Sequence, residues 1–565
     1  MTTNVGGRLQ ARPSLATLIN FAVGSHSRAA AFLVALALLA FVPGFFQIPP
    51  VDRDEARFAQ ATKQMVQSGD YVDIRFQDES RYKKPIGIYW LQAVPVKIAD
   101  TLGLRRATTV ISLYRLPSLI GAIGAVLLTY WAALAFVSRR AAVLAGVIMA
   151  TSILLGVEAR LAKTDAMLLA TCVAAMGAMG RLYLAPAEGR RPWLMPGIFW
   201  TAVAGGVLLK GPLILMFVAL AAATVIVIDR KADWLWRLQP LYGILWLVLL
   251  VSPWFIAIAW RTGMSFFTES VGGDLLSKVG SGQEAHGMPP GYYLALFWVT
   301  FFPGAILAGL AAPAVWQVRR ELGAKFLLAW AIPSWIVMEA VPTKLPHYVL
   351  PLYPALAILL AGVIDHHALS TKRWLVHGTL WWFLIAGAIA ILTIVAPITL
   401  EGQMSLLAWP FAAVAVIFAL RAWWLYDEDG AERSLLRAGT ASVLLSIAVF
   451  GALIPRLPVL FPAAQFSRYL RGFDCVPLVA SAGYHEPSLV FFAGSATQLT
   501  DGSGAADFLW AGGCRVAIVD STQERAFALR ADAIGLGYAR GRRIEGYNIS
   551  GGRRMSLAVF RAQPN

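Results

Sequence analysis

The chain has 565 residues, of which 58% are hydrophobic and only 14% are charged. Soluble domains carry about 25% charged residues, so this composition excludes an ordinary water-soluble enzyme. The formal net charge of +16 could suggest nucleic-acid binding. The basic residues are instead spread through the short breaks between apolar runs, as the positive-inside rule predicts for a membrane protein, so we expect no nucleic-acid partner.

Many apolar runs of roughly 18–25 residues are separated by short polar breaks, which is typical of a polytopic α-helical membrane protein. The first run, 29–46, lacks a small-residue cleavage pattern and is interpreted as a span, not as a signal peptide. Counting it, the pattern predicts about thirteen transmembrane helices. The other twelve are expected at 112–137, 141–157, 165–184, 196–209, 212–228, 240–259, 291–316, 325–341, 347–365, 374–396, 405–425 and 436–455.

Basic residues indicate the orientation of these spans. Pairs such as Arg139–Arg140, Arg230–Lys231 and Lys372–Arg373 follow alternate spans and share one side of the membrane if the N-terminus is cytoplasmic. Residues 1–28 are then a cytoplasmic tail, and residues 29–460 form the membrane domain. Two long polar segments, 48–110 and 260–290, are expected on the periplasmic side. An odd number of spans also places the C-terminus there.

The first of these loops holds the densest group of charges in the chain. Asp52, Asp54 and Glu55 lie at the start of a helix that is predicted to begin at Asp54. Acids at that position can cap free backbone N–H groups, which explains one of the three. Alternatively, one carboxylate is a general base, and Arg57, three residues after Asp54 on the same helical face, binds an anion.

Arg81, Lys83 and Lys84 close the same loop and precede Pro85, where a second helix is predicted. Bases beside a membrane can simply pair with lipid headgroups. Adjacent lysines can also capture a phosphate group as point charges. The residues alone leave both interpretations open.

Ionisable residues also occur next to apolar runs further along the chain. Asp165 opens a predicted span after Glu158, Arg160 and Lys163, and Lys210 is flanked by apolar residues on both sides. Charges at such depth are usually functional or paired. Asp165 could be a helix cap and Lys210 could extend to the membrane surface. Otherwise Lys210 pairs with Asp165 or with a lipid phosphate.

Two more segments carry candidate residues. The 260–290 loop contains His286 beside a carboxylate, which is a weak signal for a metal ligand. The segment VPTKLPHYVLP supplies Lys344, His347 and Tyr348 at the end of another span. Prolines on both sides of the His–Tyr pair suggest a rigid loop, although a plain helix boundary is the alternative.

From about Phe466 the composition changes. VPLVASAG, LVFFAG, CRVAIVDS and MSLAVFR are predicted to be short β-strands, and 523–534 has helical periodicity. Residues 461–565 are therefore expected to form a small periplasmic α/β domain. Cys475 and Cys514 in this segment could form a disulfide or remain two buried thiols.

Several motifs resemble a known family when they are taken in order. DRDEAR at 52–57, KKPIGIYW at 83–90, TDAMLL at 164–169, LLKGP at 208–212 and KLPHYVLPLYPAL at 344–356 occur in the order expected of the aminoarabinose transferase-like membrane glycosyltransferases. These enzymes are relatives of the protein O-mannosyltransferases. The resemblance covers residues 30–365 most clearly.

The resemblance implies a C-type glycosyltransferase fold with a periplasmic active site and a polyprenyl-phosphate sugar donor. Asp54 matches the family's catalytic carboxylate, and Arg57 matches its arginine. Lys84, Asp165 and Lys210 match residues expected to hold the donor phosphate and shape the cavity, in which Lys83, Lys344, His347 and Tyr348 are also expected.

One departure concerns a metal ion. The family carries a glutamate before the Lys–Pro pair, which helps hold a metal together with a histidine of the later loop. Here that position is Lys83, and a protonated lysine cannot ligate a metal. His286 matches the histidine, so only half of the site is present and metal dependence is doubtful.

The sequence therefore predicts an inverting inner-membrane glycosyltransferase whose partners are a polyprenyl-phosphate sugar donor, membrane lipids and a periplasmic acceptor, foremost lipid A or the lipopolysaccharide core. A protein O-glycosyltransferase with a Ser or Thr acceptor is the alternative within the same chemistry. A polyprenyl-lipid transporter is the alternative from another class, but transporters commonly show paired halves with interrupted helices, and no such repeat is visible.

Overall fold

The computed structural model describes residues 15–186, 193–276, 287–549 and 551–563. Helices make up most of this part of the chain. Seven of them are long and apolar enough to cross a membrane, or eight if the bent pair Tyr292–Thr300 and Gly304–Gln317 is one span. The seven are Ile111–Ala133, Asp165–Leu184, Pro240–Thr262, Leu322–Ala340, Pro346–Asp365, Arg373–Glu401 and Tyr426–Arg456.

Shorter apolar helices lie at other predicted spans: His26–Phe41, Leu194–Lys210, Leu213–Asp229 and Ala408–Trp424. The helix Arg139–Ala150, followed by Ile153–Glu158, occupies the remaining one. Several of these helices expose large apolar side chains. Leu245 and Leu249 on Pro240–Thr262 are each 60% exposed. A contiguous exposed apolar surface of this kind suits lipid and not water, as expected of a multi-pass membrane protein.

Small residues allow the central helices to approach closely. Gly121 on Ile111–Ala133 faces the backbone of Met167 on Asp165–Leu184, where an added Cβ would lie 2.8 Å from the Met167 nitrogen. Gly87 faces Leu208 in the same way, at 2.7 Å from its carbonyl oxygen. The first contact packs the TDAMLL segment against Ile111–Ala133, and the second brings the KKPIGIYW and LLKGP segments together, because no larger side chain separates their backbones.

The loop after the helix His26–Phe41 contains two helices, Asp54–Ser68 and Gly87–Thr101, as predicted. A two-stranded hairpin, Arg75–Phe76 and Glu79–Ser80, lies between them. Gly69 ends the first helix with a φ of 72°, a conformation that glycine adopts without strain. The loop is therefore an ordered layer on one end of the helical bundle.

A five-stranded sheet forms most of the C-terminal region. Its strand order is Gln498–Thr500, Leu478–Ala482, Arg515–Asp520, Arg553–Ala562 and Tyr538–Asn548. The first three strands are parallel and the last two join antiparallel, with Ala480 opposite Ala517 and Ala517 opposite Phe560. Helices Pro462–Leu470, Pro487–Ala493, Gly502–Trp510 and Glu524–Ile534 pack with it.

One strand prediction in this region is wrong. LVFFAG belongs to the helix Pro487–Ala493, not to a strand. Pro487 occupies the first helical turn, where its missing N–H costs nothing, and Gly494 follows the end with a φ of 109°. Periodicity cannot separate a short buried helix from a strand in so short an apolar run.

Cys475 and Cys514 are bonded to each other. The bond joins the segment before the strand Leu478–Ala482 to the segment before Arg515–Asp520, its parallel neighbour. A structural disulfide is typical of a compartment outside the cytoplasm.

Candidate active site

Three acids at the start of the helix Asp54–Ser68 have three different environments. Glu55 is buried and forms a bidentate ion pair with Arg115, with N–O distances of 2.7 and 2.9 Å. Its oxygens also accept hydrogen bonds from the backbone N–H groups of Val51 and Ala162. Because every acceptor position is used, Glu55 holds the loop against the helical bundle and is not available for chemistry.

Asp52 points to the C-terminal region. Its two carboxylate oxygens accept hydrogen bonds from the backbone N–H and the hydroxyl of Ser488, at 2.8 and 2.7 Å. Burial, together with the nearby charge of Glu486, raises the pKa of Asp52 to about 7. Arg53 lies 3.7 Å from Glu486. The helix capping that could explain one acid is not observed, because the helix has no side-chain cap.

Asp54 is the one acid of the three with an exposed side chain. Its charge interacts with Lys163, which lies in another segment of the chain. Arg57 follows one turn later and is half-buried. Asp54 is therefore exposed to solvent and also acts electrostatically on the buried Lys163, whereas Glu55 is buried and Asp52 is bonded to Ser488.

Five ionisable side chains form one network of mutual contacts, which we call the open cluster: Glu158, Lys163, Asp165, Lys210 and His347. Lys210 pairs directly with Asp165. Lys163 lies 3.1 Å from Glu158 and 3.8 Å from Asp165. His347 lies 3.5 Å from Glu158 and 3.6 Å from Asp165.

The predicted pairing of Lys210 with Asp165 is thus observed, and Asp165 is not a helix cap. Glu158 and Lys163, which precede Asp165 in the chain, complete the cluster. Glu158 ends one helix, Asp165 begins the next, and the non-helical turn between them carries Lys163 back toward both acids.

The remaining predicted residues surround the cluster or lie apart from it. The ring of Tyr348 lies 5.1 Å from the Lys210 ammonium. The charge of Lys84 interacts with His347, while Lys83 is exposed beside it. Lys344 is buried elsewhere, where its ammonium donates to the carbonyl oxygens of Glu339, at 2.9 Å, and Val341. His286 lies outside the described residues.

Lys344 therefore caps the end of the helix Leu322–Ala340 and does not face the cluster. The last carbonyl groups of a helix lack intrahelical partners, and a lysine near that end satisfies them. Thr343, the residue before Lys344, pairs with Gly287 in a β-bridge, which ties this segment to the end of the second polar loop.

A metal ion fits this arrangement poorly. Glu158, Asp165 and His347 offer ligand atoms within 4.8 Å of one another. The same carboxylates already pair with the ammonium groups of Lys163 and Lys210, which would repel a divalent cation. At the position where the resembled family has a glutamate, Lys83 offers no lone pair while protonated.

The comparisons with known proteins agree with the motifs. Residues 31–266 match the family described as dolichyl-phosphate-mannose-protein mannosyltransferase. The undecaprenyl phosphate-alpha-4-amino-4-deoxy-L-arabinose arabinosyl transferase of Erwinia tasmaniensis is 29% identical over 436 residues, which cover 72% of this chain and 70% of that relative.

Solved structures share the fold. ArnT from Cupriavidus metallidurans in the apo state superposes with a TM-score of 0.73 at 19% identity, over 94% of this chain and 97% of the other. The same protein bound to undecaprenyl phosphate gives a TM-score of 0.70 over the same shares of both chains. The predicted fold class, a helical membrane protein with a small C-terminal sheet, is confirmed at this level.

Proposed function

We propose that this chain is an aminoarabinose transferase-like membrane glycosyltransferase, which moves a sugar from a polyprenyl-phosphate donor to lipid A or the lipopolysaccharide core. One observation supports this assignment most strongly. Asp54, the exposed acid, lies in charge contact with the open cluster, to which three separate family motifs contribute. The names of the relatives, which specify an undecaprenyl-phosphate aminosugar, support this donor class.

The membrane topology is part of the proposal. Helices occupy all thirteen predicted span positions, although seven to eight of them meet the length and apolarity expected of a complete span. We place residues 1–28 in the cytoplasm, residues 29–460 in the inner membrane and residues 461–565 in the periplasm. The Cys475–Cys514 bond supports the last placement.

The proposed reaction inverts the anomeric carbon of the sugar. The acceptor oxygen attacks that carbon as its bond to the lipid phosphate breaks, and the phosphate leaves with the bonding electrons. Arg57, Lys84 and Lys210 stabilise the negative charge that develops on the phosphate. Asp54 takes the proton of a hydroxyl acceptor, or orients the acceptor if it is a phosphate oxygen.

The open cluster supplies this site with cations held in place. Asp165 and Glu158 are its acids, Lys163 and Lys210 are its cations, and the ring nitrogens of His347 lie 3.5 Å from Glu158 and 3.6 Å from Asp165. When a donor phosphate arrives, Lys210 can turn toward it because Asp165 keeps Lys163 and His347 within ion-pair distance. The rigid first loop and the KLPHY segment, with Tyr348 against Lys210, fix the direction of that movement.

The test uses the purified full-length enzyme with undecaprenyl-phosphate-linked aminoarabinose and lipid A. We expect lipid A to gain the mass of one aminosugar, detected by mass spectrometry. A parallel reaction with a strong chelator is expected to keep most of the activity, because Lys83 removes one ligand of the family's metal site. No product with lipid A, but transfer to a Ser- or Thr-containing peptide, would replace this proposal by the protein O-glycosyltransferase alternative.

A further inference from the structure

A cavity lies apart from the residues of the open cluster. It has a volume of about 410 Å³ and is lined by residues 46–50, residues 109–112, the prolines Pro455 and Pro458, and the helix that carries Arg468 and Arg471. A pocket of this size holds the headgroup of a lipid but not its acyl chains. None of the residues proposed for the donor phosphate lines it.

The charge of this cavity has one sign. Arg468 and Arg471 line it, and none of the lining residues is an aspartate or a glutamate. Within the described part of the chain, neither arginine takes part in an ion pair or donates a side-chain hydrogen bond. Two exposed guanidinium groups without acidic partners therefore face one concave surface, where they can bind an anion in the bidentate manner that suits phosphate.

The 46–50 wall of the cavity is held in place by hydrogen bonds to its backbone. Arg115, buried and paired with Glu55, also donates hydrogen bonds to the carbonyl oxygens of Phe45, Ile48 and Pro49 at 2.7–3.0 Å. The segment 45–49 is thus held from below by the same arginine that holds the Asp54 helix. Phe46 on this wall is 62% exposed.

The ends of three apolar helices meet at this cavity. His26–Phe41 ends just before its 46–50 wall, Ile111–Ala133 begins within its 109–112 wall, and Tyr426–Arg456 ends beside Pro455. A position where several membrane helices end is the level of the lipid headgroups, and basic residues there bind anionic lipids. The exposed Phe46 ring is suited to contact the acyl chains of such a lipid.

We propose that this cavity binds the phosphate-bearing headgroup of an anionic membrane lipid, and that this lipid is the sugar acceptor. The second clause rests on the proposed function. Arg468 and Arg471 hold the lipid phosphate, and the 46–50 wall directs the headgroup along the chain toward Asp54, four residues after Pro50. Donor and acceptor phosphates are then bound by different sets of cations.

Binding is measured without donor, so that the result does not depend on sugar transfer. Full-length protein in phosphatidylcholine nanodiscs is titrated with diphosphoryl lipid A and analysed by native mass spectrometry. We expect Arg468→Gln/Arg471→Gln to bind lipid A about tenfold more weakly, which corresponds to roughly 1.4 kcal/mol. In a transfer assay the same variant should raise the KM for lipid A and leave kcat nearly unchanged.

The matched control is Arg525→Gln/Arg542→Gln, which removes the same charge from two exposed arginines of the C-terminal region that do not line the cavity. It should bind lipid A as the parent protein does. Equal loss in both variants would indicate general charge attraction and overturn the proposal, as would unchanged binding in Arg468→Gln/Arg471→Gln. Displacement of lipid A by equimolar inorganic phosphate would overturn the lipid assignment. Intact binding without any sugar transfer would instead reject only the acceptor role.

Discussion

Two groups of buried charges lie side by side in this protein and differ in how completely they are satisfied. In the Glu55–Arg115 pair, both carboxylate oxygens contact the guanidinium and a backbone N–H, and the arginine also binds three carbonyl oxygens. In the open cluster, several charges share partners at 3.1–3.8 Å, and one oxygen of Glu158 is buried with no hydrogen bond in the described part of the chain.

The difference separates a structural role from a functional one. A buried charge that has a single charged partner cannot leave it for a substrate without a large cost in free energy, because the partner would remain buried and unpaired. Asp165 has two lysines within ion-pair distance, so it can release one of them to a substrate phosphate. Asp54 lies between the two groups, since Glu55 is its chain neighbour and Lys163 of the open cluster is its charged partner.

The largest expected effect is on turnover in Asp54→Asn. The amide cannot accept a proton, so we expect kcat to fall by about 10²–10⁴-fold, the usual contribution of a general base. Folding should be unchanged because the side chain is exposed. Asp78→Asn, an exposed acid in the same loop, is the control. Near-normal kcat in Asp54→Asn would remove this residue from catalysis.

The adjacent substitution Glu55→Gln should affect folding first. It leaves the buried Arg115 without its anion, and breaking a buried pair costs about 3–5 kcal/mol. We expect a strongly reduced yield of folded protein in size-exclusion chromatography and a lower Tm. If Glu55→Gln were as stable as Asp54→Asn, the proposed contrast between the two charge groups would be wrong.

Lys210→Met should lower activity with a smaller loss of stability. Asp165 keeps Lys163 and His347 nearby, but the donor phosphate loses one cation, so we expect kcat/KM for the donor to fall about 10–100-fold. Lys325→Met is a matched control, because Lys325 is likewise one-tenth exposed and paired, with Asp229. A similar loss of activity in both variants would attribute the effect to general destabilisation.

The contact between Asp52 and Ser488 should depend on pH. Because the folded protein raises the pKa of Asp52 from 3.8 to about 7, this group favours the folded contact at low pH and loses that contribution as the pH rises through 7. Hydrogen exchange in residues 487–493 should therefore become faster as the pH rises from about 4 to about 7 and change little above that, after correction for intrinsic rates. Asp52→Asn should remove this dependence, whereas a variant of the exposed Asp507 should keep it.

The smallest effect is expected for Lys344→Gln. Its ammonium caps carbonyl groups of the helix Leu322–Ala340, so its loss should cost about 1 kcal/mol of stability and leave the KM for the donor unchanged. A thermal unfolding scan and donor kinetics measure the two quantities. A large rise of that KM would restore Lys344 to the donor site predicted from the sequence.

The order of the motifs and the apolar runs were enough to predict the helical membrane fold. The pairing of Asp165 with Lys210 was one of the interpretations that the sequence left open, and the structure shows it. They were not enough to separate Asp54 from Glu55, because consecutive positions on a helix point in different directions and only the packed structure says which direction is buried. Lys344 and His347 are only three residues apart, yet their side chains have different surroundings, because the proline-containing turn that begins at Pro346 lies between them.

Other features depended on partners far along the chain. Arg115 lies inside the apolar run Ile111–Ala133, where a lone arginine is costly unless it is paired. Its position is therefore a sequence signal for a buried acidic partner, which the structure identifies as Glu55. The contact of Asp52 with Ser488 joins residues 436 positions apart, and no local pattern predicts it. The cavity beside Arg468 is formed by four separated segments, so it is visible only in the structure.

We propose that Asp54 is required for this protein to transfer a sugar from a lipid phosphate to an envelope lipid. The decisive measurement is mass spectrometry of envelope lipids in cells that lack the protein and are complemented with the parent chain or with Asp54→Asn. We predict that the parent chain adds the mass of one sugar to lipid A or the lipopolysaccharide core, and that Asp54→Asn adds none. The same added mass with Asp54→Asn would exclude this residue from the reaction, and no difference between cells with and without the parent chain would exclude the transfer itself.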